Sequence, residues 1–333
     1  MKHRLVRVSA GTAIVLGLAK GWLSARPSTA YLLTYVEGRC RANCAFCPQA
    51  RDSYSSLEML SRVEWPAYPI DVVVEKVKGA LRSKLLARAC IQVVNRPEAI
   101  EQALWLAERL SEGGLNPVSV STPPLSLEGF KRLKEAGVER ASVALDACSE
   151  EVFEEVKGSR AGGPYSWRSH WEALDRALKV FGPGRVSTHL IVGLGEREID
   201  LARTVAKLVE MGVTPALFAF TPIPGTKLEG KPQPSLASYR RAQLLRFLLV
   251  NRLASLDDFS FNQHGELIEV RIKEQALEAV KSGEPFKTSG CPGCNRPFYN
   301  ERPSGPIYNY PRPLSRVEAE EALRVLEGTI KIS

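Results

Sequence analysis

The residues best suited to chemistry in this 333-residue chain are its seven cysteines, which fall in clusters. The tightest cluster is Cys40-Arg-Ala-Asn-Cys44-Ala-Phe-Cys47, a CxxxCxxC spacing. Three thiolates on one short loop can bind three irons of a [4Fe–4S] cubane and leave the fourth iron open. An open metal position is what a small chelating molecule needs, by the logic that separates catalytic from structural zinc. A closed zinc site wants four ligands, and no fourth Cys or His stands near this triplet. Phe46, just before the last cysteine, is placed to pack over the site. A second pair, Cys291-Pro-Gly-Cys294, supplies two ligands of a further cluster site. Cys90, Cys148, a tail residue or a partner protein would complete it; a zinc half-site or a redox dithiol is the alternative. An odd cysteine count with clustered spacing points to ligation in a reducing, cytoplasmic setting rather than to a disulfide framework.

The elements that must hold these residues alternate along the chain. Strands are predicted over 30–36, 87–94, 117–121, 139–145, 185–192 and 213–220. Helices are predicted over 70–86, 97–112, 126–136, 150–156, 167–181, 198–211 and 236–251, with Pro97 suited to a first helical turn. Six strand-plus-helix units predict a parallel α/β sheet, curling by right-handed crossovers into a partial (β/α)6 TIM-like barrel. An open doubly wound sheet has the same pattern. The first cysteine loop follows the first strand directly, at the carboxyl end where parallel α/β folds gather their sites. Residues 8–23 read as a short packing helix, because Lys20 and several glycines interrupt the apolar run. The chain divides into an N-terminal helical extension (1–27), a core barrel (28–265) and a cysteine-bearing C-terminal extension (266–333), with a last helix over 318–327. The formal net charge is +8, but basic residues alternate with acids and form no block, so neither nucleic acid nor membrane is an expected partner.

CxxxCxxC after a first strand, with an aromatic before the third cysteine, resembles the radical S-adenosylmethionine (SAM) superfamily over about residues 28–265. The resemblance implies that SAM chelates the open iron and is cleaved to a 5′-deoxyadenosyl radical, the cofactor carrying the hard chemistry. His189-Leu-Ile-Val-Gly193-Leu-Gly-Glu196 is similar to the family's GxIxGxxE strand, with His189 in the first Gly position. It implies Ile191 against adenine, Gly193 allowing close backbone approach and Glu196 closing the motif. Thr221-Pro-Ile-Pro-Gly-Thr226 resembles the sixth-strand adenine loop. Biotin synthase-like members place an acid and an arginine on SAM's ribose and carboxylate, which by position become Asp146 and Arg160. The GGE motif that grips the SAM amino group is missing: the second strand reads Ile91-Gln-Val-Val-Asn95.

That departure moves the resemblance toward biotin and lipoyl synthases. Biotin synthase's further cluster cysteines on strands three and five are here Ser119 or Ser121 and Ser187, while the tail offers Cys291 and Cys294. Taken whole, the chain resembles one subunit of the archaeal two-protein lipoyl synthase. The implied reaction is sulfur insertion into an octanoyl chain on a carrier protein domain. A second, auxiliary iron–sulfur cluster would donate the sulfur, with a second radical SAM subunit and an electron donor such as ferredoxin as partners. A biotin synthase-like enzyme of small molecules and a cluster-carrying partner subunit are the alternatives. Trp167, His170 and Trp171 read as ordinary helix residues, and His264 as a turn residue.

Overall fold

The computed structural model describes residues 4–112 and 117–332. In chain order its elements are β1 (Leu5–Val8), α1 (Ala10–Val15), β2 (Thr29–Thr34), β3 (Met59–Leu60), β4 (Val63–Glu64), β5 (Ala67–Pro69), α2 (Ile70–Arg82), β6 (Arg88–Gln92), α3 (Pro97–Ser111), β7 (Val118–Thr122), α4 (Leu127–Glu135), β8 (Val138–Val143), α5 (Glu150–Val156), α6 (Trp167–Phe181), β9 (Val186–Val192), α7 (Glu198–Met211), β10 (Val213–Ala219), α8 (Leu236–Val250), β11 (Phe259–Phe261), β12 (Leu267–Val270), α9 (Glu274–Lys281), α10 (Arg316–Glu327) and β13 (Lys331–Ile332).

The eight-stranded sheet has the order β10-β9-β8-β7-β6-β2-β1-β5, and the run from β2 to β10 is parallel. Neighbours in that run are consecutive along the parallel series, so no switch point of a doubly wound sheet exists. The fold is the partial six-unit α/β barrel. Its strands carry two different faces. Ile91, Val120, Val143, Leu190 and Leu217 point outward into one apolar core with Leu106, Phe130, Leu174, Leu201 and Leu245 of the helices. The alternate positions point inward and are polar on β6, β7 and β8, while β9 and β10 add the apolar Ile191 and Phe218. Tyr31, Cys90, Ser119 and Arg140 form one row in register, and Gln92, Ser121, Ser142 and Ser187 the next. A period of 2 thus puts hydrophobic adhesion outside and chemistry inside.

Two expectations need correction. The helix expected over 8–23 is confined to Ala10–Val15. The residues before it form β1, which pairs antiparallel with β2 on one side and β5 on the other. The alternation in Leu5-Val-Arg-Val supplies a strand, with Val6 and Val8 fully buried. The tail does not stand apart from the barrel either. The Leu217 N–H donates to Ser289 Oγ at 2.8 Å, the Ser28 N–H to Asn295 Oδ1 at 2.9 Å, and the Arg296 N–H to Tyr31 Oη at 2.9 Å. Residues 288–296 therefore strap the last parallel strand, β10, to the first, β2, across the gap that an incomplete barrel leaves. β13 joins β12 and β11 in a three-stranded sheet, so the boundary drawn at 265 falls inside the β11–β12 hairpin.

Candidate active site

β2 is buried along its whole length and ends at Thr34; the chain then turns through the first cysteine loop. That loop is closed by its own polar groups. The Cys40 N–H donates to the Gln49 carbonyl, the Arg51 N–H to the Ala42 carbonyl, and Gln49 Nε2 to the carbonyls of Leu57 and Met59. Asn43 Nδ2 bonds both Asp52 and the Ala161 carbonyl at 2.8 Å, tying the loop to the segment after α5. Beyond β6, the Asn95 N–H donates to Cys40 Sγ at 3.2 Å and its carbonyl accepts from Arg41. The end of β6, where the GGE motif is missing, thus cradles the cysteine loop through its backbone.

Cys40, Cys44 and Cys47 line one cavity of about 160 Å³. Among the described residues no three His, Cys, Asp or Glu side chains are arranged around a single metal ion; a cubane instead spreads its thiolates over three irons. Burial pushes the Cys47 thiol up to about 12, reinforced by Cys40, and pushes Cys44 up as well against the pull of Lys157. Buried thiols packed together hold their charge only when a metal compensates it. Donor type, spacing and cavity therefore fit a [4Fe–4S] cluster with one open iron.

The other sequence-derived positions separate into those brought to this cavity and those not. Phe46 and Asp146 line it, and both also line a second, larger cavity of about 210 Å³ inside the barrel. Ile191 lines the larger cavity. Gly193 has φ +103°, and a Cβ there would stand 2.8 Å from Pro234 Cδ, so the position requires glycine. Glu196 turns back on its own loop, accepting from the N–H groups of Gly193, Leu194 and Gly195; it shapes the turn after β9. Gly225 of the Thr221–Thr226 loop presses on the return of the cysteine loop, accepting from the Tyr54 N–H at 2.8 Å.

Arg160 is not at the site. Its side chain is 58% exposed and paired with Glu155 at 2.6 Å. The cation beside Asp146 is Lys157, at 2.6 Å. Sequence reading passed over Lys157, although it stands three residues before the arginine chosen. His170, read as an ordinary helix residue, is buried against the rings of Phe153 and Tyr165, each 4.9 Å away, and lines the cysteine cavity. His189 lines both cavities and its ring lies 4.9 Å from Phe218; burial lowers its pKa to about 4, so the ring is neutral.

At the floor of the larger cavity stand Cys90, Cys291 and Cys294. Around them, Gln92 Nε2 lies 3.1 Å from Cys90 Sγ, Tyr31 Oη 3.3 Å and Arg296 Nη1 3.5 Å from Cys294 Sγ, and Ser119 Oγ 3.8 Å from Cys291 Sγ. Arg296 is fixed over the ring of Phe218 at 4.1 Å and donates to the Ser289 carbonyl. Cys148 is buried in the outer core and takes no part.

The family model described as the radical SAM superfamily matches residues 35–208, from the cysteine loop into α7. A biotin synthase of Hydrogenobaculum sp. (strain Y04AAS1) is 28% identical over 68% of this chain and 65% of its own length. A biotin synthase of Aquifex aeolicus (strain VF5) is 30% identical over 60% of this chain and 58% of its own length. The matched stretch thus covers less than two thirds of either relative. The X-ray structure of the FeFe-hydrogenase maturase HydG from Carboxydothermus hydrogenoformans superposes with a TM-score of 0.52 at 16% identity, over 76% of this chain and 56% of that one, a likeness of fold. A family model spanning half the chain, on the loop and strands that gather Cys40, Cys44 and Cys47, shows that this protein belongs to the radical SAM superfamily.

Proposed function

We propose that this radical SAM enzyme inserts sulfur at an unactivated carbon, the substrate being an octanoyl chain on a carrier protein domain. The observation that carries the reading is the second cysteine set. Cys90 of β6 and Cys291 and Cys294 of the tail line the same cavity whose upper wall includes Phe46, Cys47 and Asp146. A first cluster held by Cys40, Cys44 and Cys47 would, with SAM, supply the radical that removes a hydrogen atom from carbon, and an auxiliary cluster held by Cys90, Cys291 and Cys294 would supply the sulfide that bonds to the carbon radical, its iron(III) taking up the electron released.

The chain's own residues divide this work. Phe46, Gln92, Ser121, Asp146 and His189 belong to both cavities and form the layer where the two reactants meet. Ile191, Phe218 and Phe220 give that passage an apolar wall suited to an alkyl chain. Arg296 donates toward Cys294, with the Tyr31 hydroxyl 3.3 Å from the same sulfur, and offsets thiolate charge in a buried site. A cytoplasmic setting, a ferredoxin-like donor and a second radical SAM subunit accompany this reading.

The curated relatives named biotin synthase support a second reading equally, in which a small molecule enters the same cavity and the floor cluster is again the sulfur donor. The test reconstitutes the enzyme with isotopically labelled sulfide. It is offered an octanoyl-lysyl carrier domain and, separately, dethiobiotin, and products are read by mass spectrometry. Label in the octanoyl chain upholds the proposal, label in dethiobiotin selects the second reading, and reductive SAM cleavage without label in either sinks both.

A further inference from the structure

The outer tip of the Cys291–Cys294 turn lies on the surface. Pro292 and Gly293 are exposed, and a Cβ on Gly293 would meet no atom within 4 Å. Ser28 Oγ donates to the Gly293 carbonyl, and Asn295 Nδ2 donates to the Arg26 carbonyl at 2.8 Å. The Ala87 N–H in turn donates to the Ser28 carbonyl at 2.7 Å. Three stretches therefore meet at the end of the barrel away from the first cysteine loop: 16–28 before β2, 82–88 leading into β6, and 288–296. Together they carry Lys20, Arg26, Arg82, Lys84, Arg88 and Arg296 and no Asp or Glu. Arg88 pairs with Glu139, and Arg296 turns inward to Cys294. Lys20, Arg26, Arg82 and Lys84 are exposed, and none is ion-paired with a described residue. In the same stretches Trp22 is 84% exposed and Leu85 45%.

Four unpaired cations around an exposed tryptophan make a poor solvent face and a good protein-binding one. Trp and Arg are the side chains that anchor interfaces, and a surface of one sign attracts its opposite. A second copy of this chain does not fit the face, because it would bring like charges together. If the floor donates sulfur, as proposed above and as this inference requires, each product carries sulfide away and the floor must be rebuilt. The other end of its cavity is walled by Phe46, Cys47 and Pro48 of the first cysteine loop, so the open approach is from the basic face. We propose that an acidic, cluster-carrying protein docks on Lys20, Trp22, Arg26 and Lys84 and restores the floor cluster through the tip at Pro292 and Gly293. The transfer is a ligand exchange without change of oxidation state. Each acceptor thiol of Cys90, Cys291 and Cys294 loses a proton as its sulfur bonds iron, and each carrier thiolate gains one as its bond to iron breaks.

The test uses the full chain with Cys40→Ala/Cys44→Ala/Cys47→Ala, so that iron is taken up at the floor alone. It is loaded anaerobically either from an acidic [4Fe–4S] carrier protein bearing isotopically labelled iron or from labelled iron and sulfide in solution, and uptake is timed by Mössbauer spectroscopy. Adding Lys20→Glu/Arg26→Glu/Lys84→Glu should slow loading from the carrier about tenfold or more at low salt. Trp22→Ala should slow it about threefold. Loading from solution should stay within about twofold in both variants, since neither touches the floor ligands. Added salt should slow carrier loading of the parent and barely change that of the charge-reversed variant. Equal carrier rates in parent and variant, or no transfer from the carrier to a parent that loads from solution, overturn the inference. Equal slowing by both sources also overturns it, because the variant has then damaged the floor itself. Floor iron from neither source is a different failure: it sinks the sulfur-donor reading, and this inference with it.

Discussion

The two cysteine sets are built in opposite ways. Cys40, Cys44 and Cys47 sit within one loop closed by its own backbone bonds. Cys90 and Cys294 are about 200 residues apart and meet only because the strap at 288–296 crosses from β10 to β2. A local set depends on one turn holding its shape. A non-local set depends on the closure of the whole barrel, and each of its ligands carries the loop-closure entropy of the chain between. The upper site should therefore be the robust one and the floor site the sensitive one.

Removing the upper set by Cys40→Ala/Cys44→Ala/Cys47→Ala should abolish reductive SAM cleavage, the largest effect, and leave about four irons of about eight if the floor carries a cubane; Mössbauer and iron counting decide this. Changing Cys291 and Cys294 to Ala should do the reverse. SAM cleavage should continue within about threefold while sulfur transfer falls below detection, as read by deoxyadenosine yield against labelled product. Loss of SAM cleavage in that variant would break the comparison, since it would make the two sites one unit.

Alkaline pH should sharpen the contrast. Burial pushes the Glu301 carboxyl in the tail up to about 8, only partly offset by Arg240 and Arg62. A folded-state value raised above the usual 4.5 means that the native state holds the extra proton. This contribution to stability is complete below about pH 4.5 and is lost as pH rises through about 8. If the floor holds iron as proposed, it should be released before iron at the mouth as pH rises from about 5 to about 8, and Glu301→Gln should flatten that loss. A smaller effect is expected at Gly193→Ala, where the clash with Pro234 and the positive φ should cost about 1–3 kcal/mol of stability, read by chemical denaturation. The smallest belongs to Arg160→Ala, an exposed pair with Glu155, which should leave stability unchanged by the same measurement.

The same division explains what could be read without coordinates. The six parallel units were legible because each strand's outward face is apolar and each helix repeats on its own period. The upper ligands were legible because their spacing is local. Lys157 and Arg160 illustrate the limit: they stand three residues apart in the same stretch after Asp146, and only the fold shows that the lysine turns inward while the arginine pairs with Glu155. The β1 strand was hidden by its brevity, four residues beside a longer apolar run, and is specified by pairing with β2 and β5 rather than by propensity. Nothing in the spacing of Cys291 and Cys294 named Cys90 as their neighbour over Cys148. The choice is made by register, which aligns Cys90 with Tyr31 and Ser119 on the inner face.

The strap has a temporal consequence. A ribosome releases the cysteine loop and all six parallel strands before it makes residues 288–296, and domains fold as units in the order they emerge. The nascent barrel holds every ligand of its upper site while its floor still lacks two cysteines and the seam between β2 and β10 stands open. Under the proposed reading, translation itself would order the completion of the two sites. The first cluster has a complete berth early, whereas the floor cluster proposed above would have one only after the tail arrives, closes the seam and shuts the floor from below.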